Sequence, residues 1–194
     1  MSVISKAQAT WTGSLASGNG TVSLNSSQLG NFPLTWKARS ENAPSADATT
    51  PEELLGAAHA SCYSMALANL LAQEGVAVES ISTGADVTFD PEKGITNIHL
   101  YTVGRVEGLA TANFETIAQR AKKDCPVSRA LKGVDIDVTA SLAGDKPLPH
   151  FFELGAQVFD VSRIVESNIA RRAPLFIGRL SSDTFLRVFG IHAT

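Results

Sequence analysis

The chain holds only two cysteines, two methionines, two tryptophans and two tyrosines among 194 residues, and aromatics make up 7 % of it. So few cysteines exclude a disulfide-stapled scaffold, and no C-x-x-C spacing of a zinc site is present. The four histidines, His59, His99, His150 and His192, show no ligand spacing either, so no metal is expected. No run of about 18 apolar residues occurs, which argues against a membrane span. Charged residues make up 18 % and the net charge is −3. Without a clustered basic excess, nucleic acid is not an expected partner. A glycine-rich phosphate loop is missing; Gly18-Asn19-Gly20 is too short and reads as a hairpin turn. Met1–Ala7 lacks a charged leader followed by an apolar stretch, so a cytoplasmic location is expected. In that reducing compartment two cysteines are thiols or a transient disulfide rather than a staple.

What is present suits one core, with 44 % hydrophobic residues. Three short alternating runs, Ala7–Thr12, Gly20–Leu24 and Phe32–Ala38, read as strands separated by Gly/Asn/Ser turns. Residues 40–49 are a loop by composition. Thr50-Pro51-Glu52-Glu53 then announces a helix, with Thr50 as cap, Pro51 in the first turn and Glu53 completing a capping box. That helix runs to Gly75. Gly84–Asp90 and Ile95–Val103 form a hairpin through Pro91-Glu92-Lys93-Gly94. Asn113 is expected to cap a helix over Phe114–Lys123, Pro126 to begin a short helical turn, and Val134–Leu142 to be a strand. The order is βββ-α-ββ-α-β, an α+β domain. After Leu142, Lys146-Pro147-Leu148-Pro149 signals a linker. Residues 143–194 therefore read as a C-terminal extension of unassigned role, helical or partly disordered, on a domain of residues 1–142.

Both cysteines sit in settings that suit redox chemistry. Cys62 lies near the middle of the long helix, where a buried cysteine is as readily a small hydrophobe as a nucleophile. No helix N-terminus reaches it there, so its activation requires a cation from elsewhere. Cys125 precedes Pro126, which makes it an N-cap with amide donors ahead of it; Lys122 and Lys123 add positive charge. On these local grounds Cys125 is the more acidic thiol, and which sulfur attacks stays open. His59, three residues before Cys62, is either a base for the thiol or a packing histidine.

Two segments carry a family resemblance. Pro51-Glu52-Glu53-Leu54-Leu55-Gly56-Ala57-Ala58-His59-Ala60-Ser61-Cys62, then Asp124-Cys125-Pro126-Val127-Ser128, resemble the OsmC/Ohr family of hydroperoxide-reducing proteins, closer to its OsmC branch. Ala9-Thr10-Trp11-Thr12-Gly13 matches as well, and the likeness spans roughly residues 5–142. It implies antiparallel β-sheets packed on a long central cysteine-bearing helix, in an intertwined homodimer. It also implies a peroxidase of oxidative and osmotic stress acting on organic hydroperoxides. Cys62 would be oxidised to sulfenic acid and Cys125 would condense with it to a disulfide. An external thiol, of dihydrolipoyl type, would restore both, with no cofactor. Arg39, expected at the end of the third strand, would activate Cys62 and be held by Glu52.

On one straight helix Glu52 and Cys62 stand about 15 Å apart along the axis and roughly 80° apart around it. Either the helix starts after Glu52, or Arg39 and Glu52 of one chain serve Cys62 of the other. Phe32, Trp36, Tyr63 and Met65 are candidates to line an apolar pocket, which would favour alkyl hydroperoxides over hydrogen peroxide. A non-catalytic redox sensor using the same disulfide, and a structural dimer with inert cysteines, are the competing readings.

Overall fold

The structure, a computed structural model, describes residues 1–41 and 47–145. The extension expected over residues 143–194 lies outside the described residues from residue 146 onward.

The first sheet is an antiparallel meander of β1 (Gln8–Thr12), β2 (Asn19–Ser23) and β3 (Asn31–Thr35). Its first reversal is not at Gly18-Asn19-Gly20. Thr12 pairs with Asn19 and Trp11 with Gly20, so those residues enter β2. The turn spans Gly13–Gly18 instead, where Gly13 takes φ +91° and the Gly18 N–H donates to the Ser14 carbonyl at 2.7 Å. Gly20 serves close packing, because a Cβ there would lie 2.9 Å from the Trp11 ring.

The third strand also stops early. The Thr35 hydroxyl accepts from the Ala38 N–H at 3.1 Å and caps a short helix, α1 (Trp36–Ser40). A threonine side chain that satisfies a helical amide competes with continuation of the strand. Arg39 therefore projects from a helical turn rather than from a strand end. No residue of the three strands is buried in the chain.

Helix α2 (Pro51–Gln73) begins as expected: Thr50 accepts from the Glu53 N–H at 3.0 Å and Pro51 opens the first turn. The capping box is only half formed, since the Glu53 carboxylate takes the Thr49 hydroxyl. Gly75, at φ +73°, ends the helix with the Val76 N–H returning to the Leu71 carbonyl at 2.9 Å, a Schellman closure. By length and composition α2 is apolar enough to cross a membrane; here one face of it supplies the core. Tyr63, Leu67, Leu70 and Leu71 pack there with Leu100, Phe114, Ile117 and Ala121.

The second sheet has the order β4 (Val78–Asp90), β5 (Gly94–Val106), β6 (Asp135–Leu142). The β4–β5 hairpin is longer at its open end than its apolar alternation predicts. Residues 78–83 carry Glu79, Ser80, Ser82 and Thr83, which mask the period. One ladder departs from the antiparallel expectation: β6 pairs parallel with β5, Leu100 opposite Val138. A parallel partner requires a crossover, supplied here by α3 (Thr111–Asp124) and α4 (Pro126–Ala130). Helix α3 starts before Asn113, on Ala110 without a side-chain cap, because the Ala110 carbonyl already accepts from Asn113 and Phe114. Helix α2 lies close on β4: a Cβ on Gly56 would stand 3.3 Å from the Ala85 carbonyl oxygen.

Candidate active site

The crossover delivers Cys125 to the side of α2 that carries Cys62. Cys62 is half-buried and Cys125 fully buried, both as free thiols. The Cys125 side chain and the Val127 backbone N–H both lie close enough to Cys62 to act on its thiol. This amide, in the first turn of α4, is one that the sequence assigned to Cys125; Cys125 occupies the N-cap position without any side-chain capping bond. Burial pushes the Cys62 thiol up, the Val127 amide lowers it, and Cys125 adds a smaller upward push. A buried thiol gains reactivity only if something stabilises its anion, and no cationic side chain among the described residues contributes to that balance.

The cation lies elsewhere in the chain. Arg39 Nη2 donates to Glu52 Oε1 at 2.8 Å, and its Nε donates to the two carboxylate oxygens at 3.1 and 3.3 Å. The pair is shielded, with the Glu52 side chain only 8 % exposed. The Phe89 ring, from the end of β4, covers the guanidinium at 4.1 Å, and the Trp36 ring lies 6.0 Å away. Arg39 borders an apolar groove of about 260 Å3 formed by Trp11, Leu15, Leu34, Trp36 and Pro51. On its other side is a cavity of about 490 Å3 that includes Glu52, Val87 and Phe89. Neither space includes Cys62.

Because α2 runs unbroken from Pro51, Glu52 and Cys62 share one helix, and ten residues separate them by about 15 Å. The option of a helix beginning after Glu52 is thereby removed. One chain thus carries, at separate places, a thiol pair and a guanidinium–carboxylate pair. Of the residues expected to line a pocket, Trp36 does so beside Arg39. Tyr63 is wholly buried in the core and its hydroxyl donates to the Ala118 carbonyl at 2.9 Å, while Met65 is 67 % exposed. Phe32 is partly buried on β3.

His59 is buried, and its Nε2 is 2.7 Å from the Ser128 hydroxyl. Among the described residues its Nδ1 has no hydrogen-bond partner, and burial lowers the imidazole pKa. Sequence reasoning left this partnership out, together with Phe89 and the Val127 amide. Each reaches the site from a distant segment, and only the motif membership of Val127 and Ser128 pointed towards it.

A thiol on α2 beside a second at the start of α4, with a shielded arginine–carboxylate pair in the same chain, suits a protein of cysteine redox chemistry. Residues 44–139 match the family of OsmC-like proteins. The chain is 42 % identical over 135 residues to peroxiredoxin OsmC of Escherichia coli, covering 68 % of this chain and 92 % of that protein. It is 34 % identical over 98 residues to the organic hydroperoxide resistance protein OhrA of Bacillus subtilis, covering 50 % and 68 %. Among solved structures, a putative organic hydroperoxide resistance protein of Vibrio cholerae, with captopril bound in one of its active sites, aligns at TM-score 0.53 and 27 % identity. That alignment covers 74 % of this chain and 95 % of the other. An OsmC organic hydroperoxide resistance protein of Legionella pneumophila shares the fold at TM-score 0.53 and 24 % identity, over 72 % and 99 %. The chain belongs to the OsmC-like family, and with it to the peroxidase-type stress proteins.

Proposed function

We propose that the chain is a thiol-dependent peroxidase that reduces organic hydroperoxides to alcohols, with its peroxidase unit in residues 1–142. The Cys62 thiolate attacks one peroxide oxygen. The O–O bond breaks, the alkoxide leaves and takes a proton to become the alcohol, and Cys62 becomes a sulfenic acid. Cys125 then attacks the oxidised sulfur: the S–S bond forms, the S–O bond breaks, and water leaves. An external dithiol, for which the family resemblance suggests a dihydrolipoyl type, reduces the disulfide and restores both thiols. A reducing compartment suits that last step. The observation that carries this reading is that the fold brings Cys125 and the Val127 amide beside Cys62, both cysteines being free thiols.

Activation comes from a second copy of the chain. Arg39, held by Glu52 and faced by Phe89, serves the Cys62 of its partner in a homodimer. Three features support this. The first sheet has no buried residue within its own chain. Ala57, Ala58, Ser61 and Met65 leave an exposed stripe of mostly small residues on α2 beside Cys62, which lets another element approach closely. Within one chain, the helix keeps Glu52 and Cys62 apart. The apolar groove beside Arg39 favours alkyl hydroperoxides, which gain from apolar burial as hydrogen peroxide does not.

The test is peroxide consumption by wild type, Cys62→Ser and Cys125→Ser with tert-butyl hydroperoxide or hydrogen peroxide and a dithiol. Multiple turnover on the organic peroxide is expected, abolished by Cys62→Ser, with a trappable sulfenic acid in Cys125→Ser. One equivalent of oxidation without turnover would identify a sensor instead, and no oxidation would leave both cysteines as inert core residues.

A further inference from the structure

We propose that His59 and Ser128 form a positioning pair that holds α4 in register on α2 and thereby sets the rate at which the Cys62–Cys125 disulfide closes. The inference rests on the peroxidase reading and assigns a role that the chemistry of the two thiols leaves open.

The placement is matched on both helices. His59 precedes Cys62 by three residues on α2, and Ser128 follows Cys125 by three residues in α4. The His59–Ser128 bond, 2.7 Å long and buried, thus links the same two helices as the thiol contact, one turn away from each sulfur. It is kept although His59 Nδ1 is buried without a partner among the described residues. Buried polar atoms left unpaired are costly and rare in native structures. An apolar pair would pack α4 against α2 without that cost. What it could not supply is direction: a hydrogen bond constrains separation and angle together. Burial keeps the ring neutral, so the contact is a neutral hydrogen bond rather than a charge pair.

Disulfide closure needs that control. The bond forms only at a narrow torsion, with Cα atoms about 4.4–6.8 Å apart. In the step concerned, Cys125 sulfur attacks the sulfur of the Cys62 sulfenic acid. The S–S bond forms, the S–O bond breaks, and the departing hydroxide leaves as water with the proton lost by Cys125. The oxidant is the organic hydroperoxide already consumed. Peroxide attack precedes this step and does not use the Cys125 sulfur, so loss of the His59–Ser128 bond acts more strongly on closure than on attack.

The experiment uses the full reduced chain with one equivalent of tert-butyl hydroperoxide. Sulfenic acid is followed by trapping with a dimedone-type probe, and disulfide by quenched-flow mass spectrometry. Ser128→Ala is expected to close the disulfide about tenfold more slowly, as small misplacements of reacting groups do, and to slow sulfenic acid formation by much less. With excess peroxide it accumulates sulfinic acid at Cys62. Ser128→Thr, which keeps the hydroxyl, is expected to restore closure. Closure at the wild-type rate in Ser128→Ala overturns the inference. So does slowing of both steps in parallel with lost native circular dichroism, or a failure of Ser128→Thr to rescue. A wild type that forms no disulfide overturns the peroxidase reading itself, and the positioning role with it.

Discussion

Cys62 begins from an unfavourable balance, because burial raises its pKa more than the Val127 amide lowers it. Arg39 is the group that would reverse this. Arg39→Ala is expected to lower kcat/KM for tert-butyl hydroperoxide by about a hundredfold or more, the scale of losing one well-placed charge stabiliser. The same variant shifts the rising limb of Cys62 alkylation to higher pH, since a thiol that loses its cation needs more base to ionise. Iodoacetamide labelling against pH checks both the direction and the residue. Arg39→Lys recovers only part of the loss, as an ammonium cannot reproduce the forked contact with Glu52. Phe89→Ala is expected to reduce activity less than Arg39→Ala, because it removes the aromatic face while the carboxylate stays. The pairing of Arg39 with Glu52, and of Cys62 with Cys125, could be expected from local motifs and family likeness. Phe89 could not, since a phenylalanine at the end of a strand resembles any core residue until the chain brings Arg39 over it.

Helix α2 was legible at both ends because capping is local. Thr50, Pro51 and Gly75 each act within one turn. Thr50→Ala is expected to cost about 1 kcal/mol of stability, the usual loss of an N-cap, measured by urea denaturation. The elements misread were those decided by competition. Thr35 caps α1 and ends β3, and Ala110 accepts the first amides of α3 before Asn113 can. The same helix α2 carries a pH dependence. His59 has its pKa lowered from 6.5 by burial, so below about pH 6.5 the unfolded imidazole takes a proton that the folded one refuses. Stability from this residue is whole above that pH and is lost as pH falls towards the folded value. His59→Gln is expected to flatten that part of the profile in denaturant midpoints measured between about pH 5 and 8.

At the scale of the whole molecule, the separation of Cys62 from Arg39 within one chain makes a mixing experiment decisive for the proposed homodimer. Arg39→Ala and Cys62→Ser are each expected to be inactive alone. Unfolded together and refolded, they are expected to form mixed dimers in which the Cys62 of one chain meets the Arg39 of the other. Random pairing in a two-fold dimer then restores about a quarter of wild-type activity. No recovery would mean that each chain completes its own site. The sequence suggested this division through the span between Glu52 and Cys62, a distance set by helix rise alone. It carried no sign of the parallel β5–β6 ladder, because parallel pairing leaves no turn signal between its strands. That ladder has a consequence for the order of synthesis. Cys62 leaves the ribosome with α2, whereas Cys125 is anchored only after β6 has docked beside β5. On the peroxidase reading, an unfinished chain therefore carries Cys62 before its mate is in place, and a stalled translation would leave that thiol with no partner to close a disulfide.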